Sequence, residues 1–207
     1  MVKAIYGAET NHTDIARNYN NIGSVYNSLG DYGQGLEYYT KSLNMLKVIY
    51  GAETNHTDIA GNYNNIGSVY NSLGDYGQGL EYYTKSLNML KVIYDAETNH
   101  ANIARSYNNI GSVYNSLGDY RQALAYSTKS LNMVKVIYGA ETNHTDIARS
   151  YNNIGLVYNL LGDYRQAIEY FPKVLAMLHA RYRENPDNSH TRHLQVIIFI
   201  STKEISS

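Results

Sequence analysis

The chain has no cysteine among its 207 residues, so it can form neither a disulfide framework nor a thiolate metal site. That composition fits a reducing compartment. Charge of one sign is not in excess either: a formal net charge of −1 gives no long-range pull towards nucleic acid or an anionic membrane surface. Long apolar runs are missing as well. The start, MVKAIYGAETNH, has no secretory core, and the longest apolar run, Val196 to Ile200, falls far short of the ~20 residues that a membrane helix needs. These absences predict a soluble, cytoplasmic protein that binds no nucleic acid and no membrane. A Gly-x-Ser-x-Gly elbow, a phosphate loop and paired carboxylates beside a pocket signal are also absent, so the expectation is no enzyme and no cofactor.

What is present is repetition. Lys3, Lys47, Lys91 and Lys135 open nearly the same passage at a step of 44 residues. A period in that range marks a solenoid, in which each unit buries its apolar face against its neighbours. The expected organisation over 1–207 is one array: the tail of a preceding helix at 1–6, repeats at 7–50, 51–94, 95–138 and 139–182, and a degenerate capping segment at 183–207. The first two repeats differ only at Ala4/Val48 and Arg17/Gly61 across the 44 aligned positions, so their identity reports recent duplication as much as constraint.

Each repeat carries two stretches of helical period. In the second repeat Tyr63, Ile66, Gly67 and Tyr70 fall at i, i+3, i+4 and i+7. Thr57 and Asp58 precede them as expected caps, and Gly74-Asp75 follows as the stop. The next stretch, from about Tyr76 to Ile93, has Tyr76, Gly79, Leu80, Tyr83 and Leu87 at helical spacing. Two helices joined by so short a turn lie antiparallel, which predicts an all-α fold of helix pairs. Gly23, Gly67, Gly111 and Gly155, with Gly35, Gly79, Ala123 and Ala167, are expected to let the paired backbones approach, while tyrosines fill the wider gaps between units. Arg121, Ala123, Arg165 and Ala167 replace glycines of the first two repeats, so the C-terminal half is expected to be the more stable.

His12, His56, His100 and His144 raise the question of metal. Each lies a full repeat from the next, at least one interhelical spacing of ~8–10 Å away, whereas a shared ion needs its ligands near ~2 Å. A common metal site is excluded, and the polar linker Gly51–Thr57 reads as a solvated connection with capping duty. In the fourth repeat Pro172 stands inside the second helix and predicts a bend. Beyond it, Asn185-Pro186-Asp187 looks like a helix start, followed by His193, Val196, Ile197 and Ile200 at helical spacing; a strand over Gln195–Ser201 is the alternative.

The run Tyr63-x2-Ile66-Gly67-x2-Tyr70-x3-Gly74-x-Tyr76-x2-Gly79-x3-Tyr83-x2-Ser86-Leu87 resembles the tetratricopeptide repeat (TPR) pattern. Lys47, Tyr50, Gly51, His56, Asp58 and Tyr63-Asn64-Asn65-Ile66-Gly67 resemble more narrowly the long-period subclass of kinesin light chains, with Thr57 where that subclass has proline and a longer linker. The resemblance runs from Met1 to about Arg183. It implies a right-handed superhelical solenoid whose first helices line a concave groove for peptides or partner helices, and no catalysis.

Beside the core stripe, the first helices carry a second regular set. It reads Arg17, Asn20, Ser24 and Asn27 in the first repeat, and Gly61, Asn64, Ser68 and Asn71 in the second. The third has Arg105, Asn108, Ser112 and Asn115, and the fourth Arg149, Asn152, Leu156 and Asn159. Spacings of 3, 4 and 3 hold each set on one helix side. Stacked asparagine amides could pair with an extended peptide backbone, and the arginines could engage a carboxylate, favouring an acidic or C-terminal motif. A water-facing surface must be polar in any case, so the ladder also reads as solubility alone. Leu156 and Leu160 are expected either to anchor an apolar group or to meet the C-terminal segment. The function expected is a protein-binding scaffold; a structural spacer, or the sensor region of a larger signalling protein, is the alternative. Apolar ends also predict end-to-end self-association.

Overall fold

A short turn that satisfies both helix ends at once sets the local geometry. In the second repeat the Gly74 N–H donates to the Asn71 carbonyl at 3.1 Å and the Asp75 N–H to the Tyr70 carbonyl at 3.0 Å. Gly74, at φ +78°, takes the left-handed conformation that this closure requires. Asp75 then caps the following helix, its Oδ1 accepting from the Gln78 N–H at 3.1 Å. Asp31, Asp119 and Asp163 do the same for Gln34, Gln122 and Gln166. One Gly-Asp pair thus ends one helix and starts the next, which turns the chain back on itself.

The computed structural model describes residues 10–95, 98–140, 142 and 144–181. Among these are eight helices and no strand: α1 (Thr10–Ser28), α2 (Tyr32–Tyr50), α3 (Thr57–Ser72), α4 (Tyr76–Tyr94), α5 (Ala101–Ser116), α6 (Tyr120–Tyr138), α7 (Thr145–Leu160) and α8 (Tyr164–Arg181). They form two compact units, residues 1–98 with α1 to α4 and residues 99–207 with α5 to α8. Within each unit the helices pack as the expected antiparallel pairs, and the second helix of one pair packs on the first of the next. The tail at 1–6 and the capping segment at 183–207, with its helix-or-strand alternatives around His193, Val196, Ile197 and Ile200, lie outside the described residues.

The core follows the helical stripe. In the first unit Ala16, Tyr39, Leu43, Leu46, Ile59, Ile66 and Val69 form one buried cluster; in the second, Ala104, Leu131, Val134, Ile147, Ile154, Phe171 and others form its counterpart. Glycine is required at the centre of each pair. A methyl group on Gly67 would lie 3.0 Å from the Tyr83 ring and 3.2 Å from the Gly79 carbonyl oxygen. The tyrosine stacks depart from expectation. Tyr26–Tyr38, Tyr70–Tyr82, Tyr114–Tyr126 and Tyr158–Tyr170, with ring centroids 5.5 to 5.9 Å apart, join the two helices of one repeat rather than bridging repeats.

Capping of the first helices also differs from the expected Thr57 and Asp58. His56 is the N-cap of α3, its Nδ1 accepting from the Asp58 N–H at 3.1 Å, and His100 and His144 repeat this on Asn102 and Asp146. Rings hold two of these imidazoles in place: Tyr50 stacks on His56 at 3.6 Å and Tyr138 on His144 at 3.5 Å. His12 is different, because α1 begins earlier, at Thr10, and takes it inside the helix. Pro172 also lies inside a helix: α8 runs continuously through it, with the ring on the exposed side.

Candidate functional site

The residue three places before each arginine decides what the arginine can do. Arg17 Nη1 lies 3.0 Å from Asp14 Oδ1 on α1, and Arg149 Nη1 lies 3.1 Å from Asp146 Oδ1 on α7. Both guanidinium groups are therefore half engaged within their own helix turn. In the third repeat the equivalent residue is Asn102, whose backbone serves the His100 cap. Arg105 is exposed on α5 and, among the described residues, has no carboxylate within ion-pair distance. The second repeat has Gly61 at this place, and its Asp58 accepts from the Tyr50 hydroxyl at 3.1 Å.

The first asparagine series connects repeats. Asn65 Nδ2 donates to Asn20 Oδ1 at 3.2 Å, and Asn153 Nδ2 donates to Asn108 Oδ1 at 3.1 Å. Side-by-side first helices, α1 with α3 and α5 with α7, are thus tied amide to amide. Asn108 is only 5% exposed, whereas Asn20, Asn64 and Asn152 are half-buried. In the second series the Oδ1 atoms of Asn27, Asn71 and Asn115 are buried with no hydrogen-bond partner among the described residues. Asn27 and Asn71 back onto Gly35 and Gly79 of the paired helix, and Asn159 is half-buried on α7.

Residues between the two series serve the core. Burial raises the ionisation of the Tyr39 and Tyr83 phenols, Tyr83 up to about 12, and Ser24 and Ser68 offset part of that rise. In the fourth repeat Phe171, which has no hydroxyl, takes the tyrosine's place, and Leu156 takes the serine's and packs against the cluster that contains Phe171. Leu156 is a core contact, while Leu160 stays 53% exposed. Sequence reading singled out the arginines and asparagines but missed Asp14, Asp146, Asn65 and Asn153, which hold them. An Asp-x-x-Arg spacing was the signal available for the first two.

Among the described residues no group of three or more histidines and carboxylates could hold a metal ion. None of their helices is long and apolar enough to cross a membrane.

A sequence profile described as the tetratricopeptide repeat matches residues 14–91, 58–135 and 103–180, three overlapping spans that cover most of the chain. The chain belongs to the tetratricopeptide repeat family. Several solved structures share its fold. BtubC (BKLC) from P. vanneervenii superposes with a TM-score of 0.76 at 16% identity, over 94% of this chain and 74% of that one. A Podosopora anserina kinesin-light-chain-like protein of nearly identical TPR-like repeats gives 0.72 at 12% identity, over 96% of this chain and 90% of that one. The apo form of RapI gives 0.65 at 19% identity, over 82% of this chain but 44% of RapI. No curated protein matches the sequence. Among known folds the TPR chain therefore stands with kinesin-light-chain-like repeat proteins. TPR repeats indicate a protein-interaction scaffold and are typically non-enzymatic.

Proposed function

We propose that the chain is a scaffold whose first-helix faces bind an acidic peptide or the carboxylate-bearing segment of a partner protein. The observation that carries this reading is Arg105, exposed and without a carboxylate partner among the described residues while its counterparts Arg17 and Arg149 are paired at 3.0 and 3.1 Å. A guanidinium presents donors in a fixed fork that matches a carboxylate, so an unpaired one is the strongest anion contact on the face. Arg149 contributes to the same contact within residues 99–207 after giving up its aspartate, and Arg17 offers an equivalent one within residues 1–98. Such exposed pairs are worth only ~0.2–1 kcal/mol, little enough for a ligand to compete. Asn20 and Asn108 tie neighbouring first helices beneath the peptide, and with Asn64 and Asn152 they offer amide groups to its backbone. Asn27, Asn71, Asn115 and Asn159 complete the edge of the face. The repeats at 7–50, 51–94, 95–138 and 139–182 are the units of this scaffold.

A peptide library enriched in acidic and C-terminal motifs, read by fluorescence anisotropy, tests the proposal. Arg105→Glu should weaken the selected peptide about 10–100-fold, the worth of a charge-assisted hydrogen bond, while Arg105→Lys retains part of it. Equal affinity for all three proteins would overturn the acidic-partner reading. Absence of any enriched peptide would favour a spacer without a ligand. Sedimentation over a concentration series in the same samples separates partner binding from end-to-end self-association.

A further inference from the structure

One face of the first helix is buried in each later repeat and open in the first. On α3 it holds Ile59, Asn62, Ile66 and Val69, at i, i+3, i+7 and i+10 on one helix side, and all four are buried. Ile103, Ser106, Ile110 and Val113 on α5 are buried likewise, as are Ile147, Ser150, Ile154 and Val157 on α7. On α1 the same places hold Ile15, Asn18, Ile22 and Val25. Ile22 is 38% and Val25 59% exposed, where their counterparts are 0–2% exposed. Ile15 is half-buried and Asn18 exposed. Composition does not cause the difference, because α1 and the aligned residues 54–72 differ only at Arg17/Gly61.

What covers this face is visible inside each unit. α2 packs on α3, and α6 packs on α7. Leu43 and Leu46 of α2 join Ile59, Ile66 and Val69 in one buried cluster, and Leu131 and Val134 of α6 join Ile147 and Ile154 in the other. Lysines cross the same contact: Lys47 Nζ lies 5.5 Å from the centre of the Tyr63 ring, and Lys135 Nζ 5.2 Å from that of Tyr151. The covering stripe recurs on α8 as Leu175 and Leu178. Both are half-buried, whereas Leu43, Leu46, Leu131 and Val134 are 1–6% exposed. The chain thus carries one half of this helix contact on α1 and the other on α8, each incompletely covered.

We infer that α1 of one copy is the docking surface for α8 of a second copy, which repeats the α2–α3 contact between molecules. Leu175 and Leu178 take the places of Leu43 and Leu46, against Ile15, Ile22 and Val25. His179 takes the place of Lys47, beside Tyr19. The contact is heterologous, because an α1 face complements an α8 stripe and not another α1. Each pair of copies therefore keeps one α1 face and one α8 stripe free, and growth does not stop at a dimer. One helix on another is a small interface, so the association is weak and depends on concentration. Arg17, Asn20, Ser24 and Asn27 lie on the other side of α1, so an acidic partner does not compete for this contact.

Sedimentation of the wild-type protein tests the contact without any variant. The weight-average mass should climb from that of one chain past that of two as concentration rises. Val25→Asp closes the α1 face and Leu175→Asp the α8 stripe; each alone should stay at the mass of one chain with its helical circular dichroism retained. Should Leu175→Asp unfold, Leu175→Gln serves in its place. An equimolar mixture of the two variants should form a dimer and stop there, because only the α8 stripe of one and the α1 face of the other remain to meet. A wild-type mass of one chain at every concentration up to about 1 mM would overturn the inference. So would growth that ends at two copies, either folded variant associating as the wild type does, or a mixture that stays monomeric.

Discussion

The two units carry one helix pattern on differently filled interiors. In residues 1–98 both repeats are nearly identical, with Gly35 and Gly79 in their second helices and a buried tyrosine, Tyr39 or Tyr83, in each core. In residues 99–207 those glycines are Ala123 and Ala167, and the tyrosine has become Ser127 in one repeat and Phe171, with Leu156 packed on its cluster, in the other. Duplicated residues are therefore free to drift when both members of a contact drift together. Where only one member has changed, an unpaired group remains: the Ser127 hydroxyl is buried with no partner among the described residues, and Arg105 has no carboxylate there. Magnitudes decide what this does to stability. Each glycine replaced by alanine in a helix gains up to ~1 kcal/mol, whereas losing a buried ring costs ~3–5 kcal/mol. The gain expected for the C-terminal half from its alanines is offset locally in the third repeat.

The sharpest way to break the comparison is to impose the third repeat's residue on the fourth. Phe171→Ser should cost about 3–5 kcal/mol in urea denaturation followed by helical circular dichroism; a loss under ~1 kcal/mol would mean that the ring does not hold the pair together. Next in size is the central glycine. Gly67→Ala should cost about 1–3 kcal/mol, because its methyl group meets the Tyr83 ring at 3.0 Å and a backbone oxygen at 3.2 Å. Its neighbour across the pair behaves oppositely. A methyl on Gly79 meets its nearest atoms at 3.4 Å, and alanine already sits buried at positions 123 and 167, so Gly79→Ala should gain up to ~1 kcal/mol. The smallest change concerns the linker. Gly51 and Gly139 follow α2 and α6 at φ +93° and +87°, but Asp95 holds φ +65° and ψ 134° in their place, a conformation that strains a residue with a side chain. Asp95→Gly should add about 1 kcal/mol, seen as a higher thermal midpoint, and no gain would show that the linker absorbs the strain.

Much of this architecture is legible in the sequence because it rests on periodicity and on residues with one dominant conformational role. Gly74-Asp75 marks a helix end and a helix start by backbone chemistry alone, and Ile66 and Leu87 fall on the buried stripe. Side-chain partnership is harder to read. His56 is an unusual N-cap, and its role depends on Tyr50 stacking on the imidazole, a contact made only after the linker has turned. Asn20 and Asn108 look like open groove residues until the neighbouring helix brings Asn65 and Asn153 within hydrogen-bond reach. Leu156 looks like an apolar anchor until it is seen packed on the cluster that contains Phe171, fifteen residues later.

The central claim is that pairing status, rather than the presence of arginine, sets where the scaffold meets an acidic partner. It is tested most directly by moving the aspartate while leaving every arginine in place. Affinity for one selected acidic peptide would be measured by anisotropy for Asn102→Asp, which gives Arg105 the partner that Arg17 and Arg149 have, and for Asp146→Asn, which releases Arg149. The account predicts a loss of about two- to fivefold for the first and a gain of similar size for the second, the worth of an exposed ion pair. Unchanged affinity in both, or a gain for Asn102→Asp with a loss for Asp146→Asn, would contradict it.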